Sequence, residues 1–144
     1  MFLRRVLSGK IHGAIVTDAH VEYMGSVTVD SELLKVAGIL PLEQVEVWNM
    51  TTGARLTTYC LPGEPGSGTV QLNGAAARKA SQGDRIIIAS FAYVQDEAAT
   101  RRRVTVVIPD EENRPRKVLN YVVSGSSDGW TYELQEVDAS RMAS

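Results

Sequence analysis

At 144 residues, 44% of them hydrophobic, the chain holds enough apolar material for one compact domain with a core and too little for two ordinary ones. Fifteen Lys+Arg against 17 Asp+Glu leave a net charge of −2, which argues against a protein held to nucleic acid by phosphate neutralisation. Cys60 is the only cysteine, so no intrachain disulfide can form, and with two histidines there is no metal-ligand spacing.

Arg4, Arg5 and Lys10 interrupt the apolar stretch that a secretory signal needs, and the longest apolar run, Ile86-Ile87-Ile88-Ala89, is far short of a membrane span. A cytoplasmic protein without membrane attachment is the expectation. Residues 2–7 and 11–17 are rich in Val, Ile and Leu and predict two strands joined by Ser8-Gly9. Lys10 and His12 alternate with Ile11, so on a strand they share one face and Ile11 takes the other. Residues 26–29 read as a short strand, after which Asp30 or Ser31 caps a helix over 32–37 stopped by Gly38. Leu33, Val36 and Ala37 fall on its buried side.

Two strand-like runs between Val45 and Cys60 flank Thr51-Thr52-Gly53 and predict a hairpin. In the second run Arg55, Thr57 and Tyr59 share one face, and Leu56, Thr58 and Cys60 the other. Such an arginine and tyrosine suit a carboxylate grip and a phenolic proton, or a surface pair. Leu61 to Gly68 is the clearest loop, dense in Gly and Pro. A short strand over 69–72 then meets Asn73-Gly74, which turns into a short helix through Ala75-Ala76-Ala77-Arg78-Lys79-Ala80, whose first N–H groups offer a place for an anion or oxyanion. Residues 84–94 form the strongest strand, continuous enough to be buried on both faces. A helical turn at 96–100, the Arg101-Arg102-Arg103 run and strands at 104–108 and 118–123 follow. Residues 124–129 read as a flexible link, and the rest, with Trp130 and Tyr132, as a docked or frayed tail. Some seven short strands with two or three small helices make a compact mainly β barrel, which pattern alone does not separate from a sandwich.

Gly25-Ser26 is one of three Gly-Ser pairs, beside Gly66-Ser67 and Gly125-Ser126, and in isolation such a pair is a turn. Its company distinguishes it. Tyr23 precedes it, Lys10-Ile11-His12 lies upstream, and Trp48-Asn49, Arg55-Leu56-Thr57-Thr58-Tyr59 and Asn73-Gly74-Ala75-Ala76-Ala77 lie downstream. In this order and spacing the set resembles the pyruvoyl-dependent L-aspartate α-decarboxylases, from about residue 1 to about residue 115.

The resemblance implies a double-psi β-barrel assembled as a homotetramer with active sites at subunit interfaces. It also implies that the chain makes its own cofactor, a covalent pyruvoyl group. Decarboxylation leaves electrons at Cα, and a carbonyl that forms a Schiff base with the amine is the sink that side chains lack. By the implied route Ser26 Oγ attacks the Gly25 carbonyl, and elimination and hydrolysis leave the pyruvoyl group, splitting the proenzyme into 1–25 and 26–144. A strained Gly25 and a donor at its carbonyl, for which Thr58 is the candidate, lower that barrier. Thr58 points away from Arg55 and Tyr59 on an ideal strand, so either a bulge intervenes or the site lies between subunits. In the mature enzyme Arg55 and Lys10 are the implied carboxylate holders, Tyr59 the donor to Cα, and Asn73, Gly74, Ala75 and Ala76 further substrate contacts. His12, Trp48 and Tyr23 shape the pocket. The implied product is β-alanine, a precursor of pantothenate and coenzyme A.

Arg78 and Glu22 stand where histidine is common in the family, which makes a maturation helper protein a candidate partner. The competing readings are a non-catalytic β-barrel interaction or nucleic-acid-binding module using Arg78-Lys79 and Arg101–Arg103, and glutamate as substrate.

Overall fold

The first long strand does not break where the sequence places a turn. In the computed structural model, which describes residues 2–138, β1 runs unbroken over Arg4–Ile15. Ser8-Gly9 is a bulge within it, since the register with its antiparallel neighbour shifts between Leu7 and Gly9. Gly9 is there for close packing rather than turning: a Cβ on it would run into the Ala37 carbonyl. A second shift between His12 and Ala14 bends the strand further.

Next come β2 (Asp18–His20), β3 (Ser26–Asp30), helix α1 (Ser31–Ala37), β4 (Gln44–Asn49), β5 (Arg55–Gly63) and β6 (Val70–Asn73). A 3-10 turn (Gly74–Arg78), β7 (Arg85–Val94), the short helix α2 (Asp96–Ala99), β8 (Arg102–Pro109), β9 (Pro115–Ser126) and β10 (Gly129–Val137) complete the described chain. The strands form one sheet in the order β10-β9-β8-β1-β7-β4-β5-β3-β6-β2. Most neighbours are antiparallel, but β1 with β8, β3 with β5 and β2 with β6 are parallel.

The sheet wraps a single core. Ile11, Val27, Val47, Leu72, Ile88, Val107 and Val118 come from seven different strands and belong to one buried cluster with Leu33 of α1. Segments remote in the strand order meet around it. Thr17, just past β1, donates its N–H to the Val70 carbonyl and its Oγ1 accepts from Val70 N. Asn113, in the β8–β9 turn, donates from Nδ2 to the carbonyls of Ile15 and Gly68. The chain is mainly β and wraps as a barrel, in keeping with the fold the resemblance implies.

Asp30, not Ser31, caps α1: its Oδ1 accepts from Glu32 N at 2.9 Å, while Oδ2 takes Gly68 N at 2.8 Å and so ties the following loop to the helix start. On the helix Leu34 joins Leu33 and Ala37 in the core, and Val36 only packs against its margin. Three other expectations are corrected. The loop expected from residue 61 begins later, because Leu61, Pro62 and Gly63 continue β5 and pair with β3. The helix after Asn73-Gly74 is a 3-10 turn. The link over 124–129 and the tail behind it are a hairpin, with β10 paired to β9 from Gly129 to Val137. Strand pairing there is a tertiary matter, since β10 buries little of itself. The tail beyond 138 lies outside the described residues. Among those residues no helix is long and apolar enough to cross a membrane.

Candidate active site

β6 lies between β2 and β3, and its last residue organises the site. Asn73 is in register with Ser26 on the antiparallel side and with His20 on the parallel side. Residues 21–25 therefore arch over the end of β6. Gly74 lies beneath the arch with φ +66°, and a Cβ there would stand 2.6 Å from Gly25 Cα and 2.8 Å from the Tyr23 carbonyl oxygen. Only glycine fits that contact and that backbone.

Ser26 is fully buried, and its Oγ accepts from Asn73 Nδ2 at 2.9 Å. The same amide reaches Thr28 Oγ1 at 3.1 Å, and Gln71 Nε2 donates to Asn73 Oδ1 at 2.7 Å, which fixes the amide's orientation. The strain expected at Gly25 does not take the form of a left-handed backbone: Gly25 is not among the positive-φ residues, whereas Gly74 is. The unusual conformation sits under the Gly25–Ser26 bond rather than at it. Ala75 is exposed, and Ala76 is buried in the core with Ala77.

Val27 pairs with Cys60 in the parallel β3–β5 ladder. Extending that register by one and two residues sets Ser26 beside Tyr59 and Gly25 beside Thr58. Val27 and Cys60 face the core, so Ser26 and Tyr59 share the outer face. Thr58 pairs with the core residue Val45 on the inner side, and no register shift interrupts the β4–β5 ladder. The bulge that would have turned Thr58 towards Tyr59 is absent.

A second group lies on the same outer face, further round. His12, Ile87, Trp48 and Arg55 form one row across β1, β7, β4 and β5, and Lys10, Ala89, Glu46 and Thr57 form the next. The Arg55 guanidinium lies over Trp48 at 4.9 Å, and Lys10 Nζ lies 5.7 Å from the Tyr121 ring centre. Arg55 and Tyr59 are four residues apart on one straight strand, so their backbones are separated by roughly 13 Å. The Arg55 guanidinium is turned onto its cross-strand neighbour Trp48 rather than along the strand towards Tyr59.

His12 borders a cleft of about 320 Å³ with Met50, Arg85, Asp110 and Glu111. Its Nδ1 is buried without a partner among the described residues, and burial, then the Lys10 charge, holds its pKa below the usual histidine value. It is kept neutral beside the cation. Burial, then Glu43, pushes the Cys60 thiol up to about 12, so it is no nucleophile.

Asp18 and His20, absent from the sequence-based candidates, complete the arch. His20 Nε2 lies 2.6 Å from Asp18 Oδ2, and the His20 ring stacks on Tyr23 at 4.6 Å and 27°. The Asp-x-His spacing puts both side chains on one face of a strand, the signal that could have found them. Arg101 and Arg103 are exposed at the start of β8, and the open cleft of about 610 Å³ they line contains none of the residues above.

A family model described as aspartate decarboxylase matches residues 1–116. The chain is 45% identical over 128 residues to the aspartate 1-decarboxylase of Carboxydothermus hydrogenoformans, an alignment covering 89% of this chain and 100% of that relative. It is 50% identical over 114 residues to that of Chloroherpeton thalassium, covering 79% and 84%. Against the Listeria monocytogenes enzyme of the same name the identity is 46% over 116 residues, covering 81% and 91%.

Proposed function

From the premise that the chain belongs to the aspartate decarboxylase family, we propose that it converts L-aspartate to β-alanine and CO2, feeding pantothenate and coenzyme A synthesis, with a pyruvoyl group made from Ser26. The observation that carries the reading is Ser26 itself, a buried serine whose Oγ is held by Asn73 Nδ2 at 2.9 Å directly after a glycine carbonyl. The cradle at Gly74, which a Cβ would fill, fits a peptide bond that must be held still while it reacts.

Cleavage uses the chain's own atoms. Ser26 Oγ bonds to the Gly25 carbonyl carbon as the Gly25–Ser26 C–N bond breaks, and the hydroxyl proton ends on the freed amine. Loss of the residue 26 Cα proton then expels the Gly25 carboxylate, and water exchanges the remaining nitrogen for oxygen with release of ammonia. Thr58, beside Gly25 in the extended register, is the candidate donor to the developing oxyanion.

The carbonyl so formed supplies the electron sink that amine-bearing substrates require. Around it Arg55 takes a substrate carboxylate in a bidentate pair and Lys10 adds a second charge. Tyr59, neighbouring residue 26 on the outer face, returns the proton to Cα. His12 and Trp48 wall the pocket, and Asn73 to Ala76 supply its polar floor. The Arg55 guanidinium, turned onto Trp48 rather than towards Tyr59, suits an assembly in which one subunit supplies Ser26 and Tyr59 and its neighbour supplies Arg55, within a homotetramer.

Intact mass spectrometry, with and without borohydride trapping in aspartate, tests this. Two fragments breaking between Gly25 and Ser26, the larger carrying trapped substrate, are expected. A single mass that never changes, even with extract supplying a maturation helper, would sink it.

A further inference from the structure

We propose that Asp18, His20 and the Tyr23 ring form a positioning clamp that holds the Gly25–Ser26 bond over Asn73 and Gly74 for cleavage; this rests on the self-cleavage reading above. Three observations carry it. The arch has both feet on one residue, since His20 and Ser26 each lie in register with Asn73. From beneath, Gly74 touches the Gly25 and Tyr23 backbones with no room for a side-chain atom. From above, Val21, Tyr23 and Met24 are all exposed, Tyr23 at 56%, and it is the Tyr23 ring that stacks on His20 at 4.6 Å.

The stack is itself oriented. Asp18 Oδ2 holds His20 Nε2 at 2.6 Å, and Asp18 Oδ1 accepts the Ala19 N–H at 2.9 Å, so the carboxylate is fixed to its strand and the imidazole to the carboxylate. β2 is only three residues long at the edge of the sheet, and Asp18 and His20 are its first and last. They act through Tyr23 and need touch no reacting atom. Attack by Ser26 Oγ on the preceding carbonyl demands a near-attack geometry, and displacement of about 1 Å can cost a hundredfold in rate. An arch clamped on two sides supplies that geometry.

The test follows the fraction of two-fragment chain by intact mass after cell-free synthesis, so that cleavage starts from the precursor. Tyr23→Leu and His20→Ala should slow cleavage roughly tenfold or more, and Asp18→Asn by less, while Tyr23→Phe, which keeps the ring, should restore the rate to within about twofold of the starting chain. In a Ser26→Ala background, which stays uncleaved, the same changes should leave the thermal midpoint essentially unmoved. His20→Gln, closer in bulk, gives the same slowing if His20→Ala fails to fold. If the unsubstituted chain cleaves and these variants cleave equally fast, the clamp is overturned with the self-cleavage reading intact. If Tyr23→Phe is as slow as Tyr23→Leu, the hydroxyl rather than the stack is at work, and a matching fall in thermal midpoint would make the role merely structural; either overturns the proposal. An unsubstituted chain that never cleaves overturns the reading beneath it.

Discussion

Gly74 and Gly25 meet backbone to backbone: a Cβ on Gly74 would lie 2.6 Å from Gly25 Cα and 2.7 Å from its nitrogen. Gly74→Ala must therefore lift the arch or leave the left-handed backbone at φ +66°, at a cost on the order of 1–3 kcal/mol. The expected variant remains one uncleaved chain and melts roughly 3–8 °C lower. Intact mass and a thermal scan read both.

Asn73 joins Ser26, Thr28 and Gln71 through one buried amide. Asn73→Leu keeps the bulk and removes every donor, leaving two hydroxyls unpartnered, which costs about 1–3 kcal/mol. Cleavage is expected to slow by more than the fold is weakened. A denaturation curve beside a cleavage time course separates the two, and unchanged cleavage would remove Asn73 from the reaction.

Ser26→Ala should stay intact and inactive. Tyr59→Phe should cleave at the normal rate yet lose on the order of 10²–10⁴ in kcat, the size of a lost general acid. Full turnover by Tyr59→Phe assigns the proton to another group.

If neighbouring subunits supply Arg55 and Tyr59 to one site, Arg55→Ala and Tyr59→Phe chains should complement each other when co-expressed. With one residue drawn from each of two neighbouring subunits, about a quarter of the sites in a random mixture are complete. Activity no greater than the sum of the two variants would place both residues in one protomer's site.

Cys60 gives a pH signature. Its thiol is raised from 9.0 to about 12 by burial and Glu43, so folding favours the protonated form. This contribution is fully present below pH 9 and is lost as pH climbs from 9 towards 12, because only the unfolded chain ionises there. Cys60→Val should flatten the alkaline fall in stability, measured by denaturant titration at several pH values. Native Cys60 should also resist alkylation until the chain unfolds.

Much of this was written in the sequence. Two-residue alternation assigned Arg55, Thr57 and Tyr59 to one face of β5, and Lys10 and His12 to one face of β1, because side chains on a pleated strand must alternate. Asp30 and Gly38 fixed the ends of α1, since caps are local chemistry. What failed was what depends on a distant partner. Ser8-Gly9 has the composition of a turn but serves the approach of Ala37, and Trp130 to Val137 becomes a strand only because β9 offers its edge. Asp18 and His20 look like ordinary polar residues until β6 brings His20, Asn73 and Ser26 into one line. The order of residues along the chain determined which groups this protein possesses and which way each faces its own strand. Tertiary structure alone decided which strands lie side by side, and so which serine, glycine and tyrosine meet, because register between remote segments is set by a shared core rather than by local preference.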